Sequence, residues 1–166
     1  KNKVYNNNNN NNNKVYNNNN NNIFYMNLKE LYIIIRDNIN LTHDNTSHLY
    51  NVIKKYDGED WTKYINIPDQ SYNKVYVDGN EDFEMYIITW SKFYTSEICK
   101  SILDKCTIKI LDGSIVEEHY DNNLNYIGFK KYFKNNIGNI GDNIGLQKLV
   151  NYNNEIVVSL HIYSTK

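Results

Sequence analysis

From Ser71 onward the chain is a succession of short segments rich in β-branched and aromatic residues: KVYV, FEMYIITW, CTIKIL, SIVEEHY, YIGFKKYF, QKLV and IVVSLHIY. Asp, Gly and Asn turn signals separate them, among them Asp78-Gly79-Asn80 and Asp112-Gly113-Ser114. Strands recurring at roughly ten-residue spacing predict an antiparallel barrel or sandwich rather than a parallel sheet. This pattern constrains the fold more than any other feature of the chain.

Ahead of the strands the apolar period is that of a helix. Leu28, Leu31, Tyr32 and Ile35 share one face, and Asn27 stands three residues before Glu30, a variant of the capping box. Leu49, Val52, Ile53 and Tyr56 repeat the spacing behind the cap candidates Asn45, Thr46 and Ser47, with Gly58 as a stop. A third, shorter helix is expected around Trp61, Tyr64 and Ile65, ended by Pro68. Residues 1–22 repeat KVYNNNN, a polar tract too poor in apolar surface to offset chain entropy, and are expected to be a disordered tail. The domain is expected to run over 23–166, with a helical layer at 27–67 and a barrel at 71–166.

Composition excludes several function classes. A net charge of -1 gives no excess that would favour nucleic acid or an anionic membrane surface. No apolar run approaches the roughly 18 residues needed to cross a bilayer, and the polar N-terminal stretch has no apolar leader. A cytoplasmic, reducing setting is therefore the expectation, and the two cysteines read as thiols. Cys99-x₆-Cys106 is no recognised metal or dithiol spacing, so both read first as buried small hydrophobes. His161 and Tyr163 alternate on one strand and must share a face. The stretch NNIGNIGDNIG at 135–145 has no phosphate-loop spacing and reads as a turn with bulges.

Five words stand in order behind the helices: GEDWTKY at 58–64, IITW at 87–90, CTIKILDGSIVEE at 106–118, IGDNIGLQKLVN at 140–151 and VVSLHIYS at 157–164. Together they resemble the cysteine dioxygenase family of small cupins, over about residues 27–166. The resemblance implies a mainly β, cupin-like antiparallel barrel preceded by two or three short helices. It implies an Fe(II) enzyme that adds O₂ to the thiolate of free L-cysteine, giving cysteine sulfinic acid, with three histidines around the metal. Carried onto this chain, the three ligand positions are Cys99, Ser101 and Gln147. The resemblance also places Cys106 and Tyr163 where the family forms a thioether cross-link, with His161 and Ser159 beside them. Tyr72 and Lys74 fall where the family holds the substrate and its carboxylate, although a Lys cannot clamp a carboxylate bidentately as an Arg can.

Iron(II) that must accept both O₂ and substrate needs several firm ligands, for which imidazole is well suited. A hydroxyl, an amide and one thiol do not replace three imidazoles. His43 and His48 belong to the helical layer, and His119 is expected away from the matched positions. The expectation is therefore a catalytically silent homologue with no cofactor, retaining at most a cavity for free L-cysteine or a similar thiol. Two alternatives stand beside it: an active thiol dioxygenase holding Fe(II) in a non-standard site, and a scaffold or interaction subunit of a larger assembly.

Overall fold

The computed structural model describes residues 25–38, 45–67, 69–100, 106–140 and 145–164. The tail at 1–22, His43, Ser101 and residues 141–144 lie outside the described residues, as does the side chain of His48.

The capping box forms at the start of the first helix. Asn27 Oδ1 accepts from the Glu30 amide at 2.9 Å, and Glu30 Oε2 accepts from the Asn27 amide at 2.9 Å. Helix α1 (Leu28–Asn38) then buries Leu28, Leu31 and Ile35. Helix α2 (Asn45–Lys55) brings Leu49, Val52 and Ile53 to the same core, and Tyr56 follows just after its end. The expected third α-helix is instead a five-residue 3₁₀ turn, Asp60–Tyr64. The tighter winding suits so short a connector. Asp60 pins it, accepting from the Leu28 amide at 3.0 Å and from the Tyr56 hydroxyl at 2.9 Å.

Among the described residues nine strands follow: β1 (Tyr72–Gly79), β2 (Phe83–Trp90), β3 (Cys99–Lys100), β4 (Cys106–Asp112), β5 (Ser114–Tyr120), β6 (Tyr126–Phe133), β7 (Ile137–Ile140), β8 (Leu146–Val150) and β9 (Val157–Ser164). They form two antiparallel sheets, ordered β1-β2-β9-β4-β7 and β3-β8-β5-β6. Strand β7 lies inside the stretch read as a turn with bulges. It pairs with β4, Ile108 facing Gly138, so tertiary pairing overrides a glycine-rich composition that is poor in local strand signal.

The period of two sorts the first sheet into two faces. Phe83, Met85, Ile87, Leu111, Val158, Leu160 and Ile162 pack with the helices, while Ile88, Trp90, Cys106, Ile108, Ile110 and Val157 meet Ile115 and Tyr132 of the second sheet. Each buried aliphatic side chain contributes about 1.5–3 kcal/mol. Lys109 brings a charge to the helix side. Lys109 is 3% exposed, and its ammonium donates to the carbonyls of Ile53 at 3.2 Å, Lys54 at 3.4 Å and Tyr56. A cation there satisfies the open carbonyls at the end of α2 and opposes the helix dipole. Burial lowers its pKa. Among the described residues no helix is long and apolar enough to cross a membrane.

Candidate functional site

The interior wall of the first sheet carries the residues that the sequence singles out. On β9, Ser159, His161 and Tyr163 alternate onto the inner face, and Tyr163 stands directly across from Cys106 on β4. His161 Nδ1 lies 3.6 Å from Cys106 Sγ and 3.4 Å from the Tyr163 hydroxyl, and its Nε2 lies 2.9 Å from Ser159 Oγ. Behind Ser159 stands Trp90, whose indole N–H donates to Ser159 Oγ at 2.8 Å. Indole can only donate, so Ser159 Oγ accepts from Trp90 and shares a second hydrogen bond with His161 Nε2.

Burial governs the electrostatics. It drives His161 down to about 3, with Lys74 pushing the same way. It drives the Cys106 thiol up to about 12, against the hydrogen bond from Tyr163 and the charge of Lys74. Burial, then Cys106, raises Tyr163. The wall thus presents a neutral imidazole, a thiol and a phenol at physiological pH. Lys74 reaches over this group from the exposed edge strand β1, its ammonium 3.8 Å from the ring centre of Tyr86 and 4.1 Å from that of Tyr163. Desolvation lowers its pKa. Tyr72 lies on the same face of β1 two residues earlier, packed against Trp90 and Tyr94 with ring centres 5.4 and 5.9 Å away.

The second sheet holds the positions that the resemblance assigns to metal. Cys99 faces Gln147 across β3 and β8, while Ser101 lies outside the described residues. Cys99 is exposed, a correction to its reading as a buried hydrophobe, and Cys106 is buried; both are free thiols. The difference follows from β3, an edge strand of only two residues, against β4 in the middle of the other sheet. His119 requires a second correction. It pairs directly with Gln147, so it sits beside the matched positions rather than away from them. Glu117, two residues earlier on the same face, comes with it, its Oε1 3.6 Å from His119 Nε2. The alternation Ile115, Glu117, His119, with Ile115 in the core, carries a signal for this inward face, but the β5–β8 register that brings in Gln147 does not show in the sequence.

These residues do not fit the iron implied by the family. Cys99 and Gln147 supply one exposed thiol and one amide, and the imidazole of His161 has both nitrogens engaged. Among the described residues, no three His, Cys, Asp or Glu side chains are gathered where they could hold a metal.

Comparison with known proteins agrees with the architecture. The cysteine dioxygenase type I family model matches residues 7–165. Cysteine dioxygenase type 1 of Danio rerio is 28% identical over 131 residues, 72% of this chain, which spans 65% of that relative's length. The Rattus norvegicus protein of the same name is 26% identical over 147 residues, 78% of this chain and 74% of its own. In structure, the Schizosaccharomyces pombe Cnp3 cupin domain superposes with a TM-score of 0.50 at 13% identity, covering 63% of this chain and 72% of that one. A double-stranded beta-helix protein of Klebsiella pneumoniae gives 0.50 at 11%, covering 62% and 84%. The structural likenesses establish a cupin fold, and the family match over nearly the whole length places this chain in the cysteine dioxygenase type I family.

Proposed function

We propose that this chain is a cysteine dioxygenase-type cupin without iron-dependent turnover, which keeps an interior cavity able to take up free L-cysteine or a similar small thiol. The observation that carries the reading is the state of His161. Its imidazole touches both members of the Cys106–Tyr163 pair, and the contacts at both of its nitrogens commit it to holding that wall in place. Cys99 and Gln147 cannot supply what three imidazoles would. In favour of retained binding, Lys74, Tyr163, His161 and Cys106 stay grouped on one interior wall, with a cationic side chain poised over the phenol. A ligand carboxylate would draw that ammonium off the two rings, and a small polar body would lie against the imidazole and thiol.

The test is anaerobic reconstitution of the purified chain with Fe(II), followed by metal analysis, oxygen uptake and sulfinate detection with L-cysteine. The expected result is no stoichiometric iron and no sulfinate. Iron near one per chain together with sulfinate would establish the active alternative instead. Binding is read separately from the melting temperature, since a ligand selective for the folded state stabilises it by roughly 2.7 kcal/mol at a hundredfold excess over Kd. A rise with L-cysteine that Lys74→Met abolishes supports the cavity. No rise at millimolar ligand removes it.

A further inference from the structure

The inward face of the second sheet carries a charged group that the wall of His161, Cys106 and Tyr163 does not use. Glu117 is 4% exposed, and its Oε2 accepts from the buried Tyr132 hydroxyl at 2.8 Å. That bond fixes the carboxylate and leaves Oε1 for another donor. Among the described residues no lysine or arginine pairs with it. Lys130, directly across on β6, lies instead over the Tyr132 ring, its ammonium 4.8 Å from the ring centre. A carboxylate so deeply buried calls for a positive partner, because the loss of its hydration is otherwise unrelieved.

The groups beside it offer acceptors as well. His119 Nε2 is shielded from solvent and has no hydrogen-bond partner among the described residues. It stands 3.6 Å from Glu117 Oε1, too far for a hydrogen bond between the two. Gln147, 8% exposed and directly across from His119 on β8, makes no side-chain hydrogen bond among the described residues. The space next to this group is open. On the other side of His119, strand β6 carries a bulge, and a Cβ at the facing Gly128 would meet nothing within 4 Å.

We propose that Glu117, His119 and Gln147 form a binding site for the ammonium group of a small primary amine. An ammonium group carries one positive charge and presents only N–H donors. A nitrogen at about 2.8 Å, the length of a charge-assisted hydrogen bond, reaches Glu117 Oε1 and His119 Nε2 together across their separation. The neutral imidazole accepts there with its own proton on Nδ1, and the Gln147 amide oxygen takes a further donor. Glu117 supplies the opposite charge, so an alcohol of the same shape gains little and an anion is repelled. The site needs neither the Lys74 ammonium nor a thiol. It does not rest on the reading above, and either can fail while the other stands.

The experiment titrates the full chain with ethylammonium chloride, which has neither a thiol nor a carboxylate, at constant ionic strength. Binding is followed by the ring resonances of isotope-labelled histidine in NMR and by melting temperature. Saturable binding at millimolar ligand is expected, with the His119 signals shifting and no comparable response to ethanol, propionate or potassium ion. Glu117→Gln should weaken binding on the order of 10–100-fold, as for a lost hydrogen bond to a charged group, and His119→Phe by roughly 10-fold. The ligand-free melting temperature of each variant separates a lost acceptor from a lost fold. Should Glu117→Gln not fold, the discrimination between ethylammonium and ethanol by the unaltered chain, read at His119, decides the matter. Absence of saturable binding overturns the proposal, as does an equal response to ethanol or potassium ion, unchanged affinity in Glu117→Gln, or binding that leaves the His119 signals in place. A melting-temperature rise with L-cysteine that Lys74→Met abolishes, beside no response to ethylammonium, removes this site and leaves the reading above intact.

Discussion

His161 Nε2 and Ser159 Oγ meet at 2.9 Å against the inner wall of the barrel, with the Trp90 indole behind them, and burial there, helped by the charge of Lys74, holds the imidazole neutral. Its folded pKa of about 3 lies below the ordinary value of 6.5. The unfolded chain therefore binds a proton at His161 between those values while the folded chain does not. Stability from this group is present above pH 6.5 and drains away as pH falls toward 3, at up to about 1.4 kcal/mol per pH unit. Denaturation curves at pH 7, 6, 5 and 4 should show this slope, reduced in His161→Gln. Parallel slopes in the two proteins would contradict the assignment.

Cys106 is 3% exposed with its pKa pushed up to about 12, whereas Cys99 is exposed. Only the thiolate reacts, so a thiol reagent at pH 8 should titrate one cysteine in the native chain and two in denaturant. Cys99→Ser should bring the native count to zero. Two fast native thiols would mean that the interior wall is open.

Lys109→Met removes the cation that satisfies the carbonyls of Ile53, Lys54 and Tyr56. Methionine fills the volume but donates nothing, leaving buried acceptors at a helix end. A loss on the order of 3 kcal/mol is expected in urea titration. A loss below about 0.5 kcal/mol would show that water replaces the ammonium.

Asn27→Ala breaks one arm of the reciprocal cap on α1 and leaves the Glu30 amide without its acceptor. The expected cost is about 1 kcal/mol, measured by thermal or chemical unfolding, with Asn27→Ser close to neutral.

Much of this was legible in the chain because the governing signals are local. FEMYIITW, SIVEEHY and YIGFKKYF coincide with β2, β5 and β6 to the residue, since alternation and turn residues bound each of them. The cap at Asn27 and the helical faces follow from spacing alone. What stayed hidden was pairing between distant strands. Nothing around His119 announces Gln147, nearly thirty residues on, as its neighbour, and nothing around Ile137 announces β4. Trp90 likewise shows its role only once β2 and β9 lie side by side and its indole finds Ser159. The wall of Cys106, His161 and Tyr163 is marked in the sequence by resemblance and two-residue alternation, whereas the electrostatic state of its members follows from burial.

Gly138 leaves room for the Tyr132 ring: a Cβ there would collide with it. The same ring reaches from β6 across to Gly138 of the first sheet, while its hydroxyl donates to the Glu117 carboxylate on β5, the neighbouring strand of its own sheet. One aromatic residue is thus both the bolt between the two halves of the barrel and the stay that aims an acid into its lumen. Enlarging residue 138 would be felt at Glu117, on the opposite sheet, before it was felt anywhere on the outer surface.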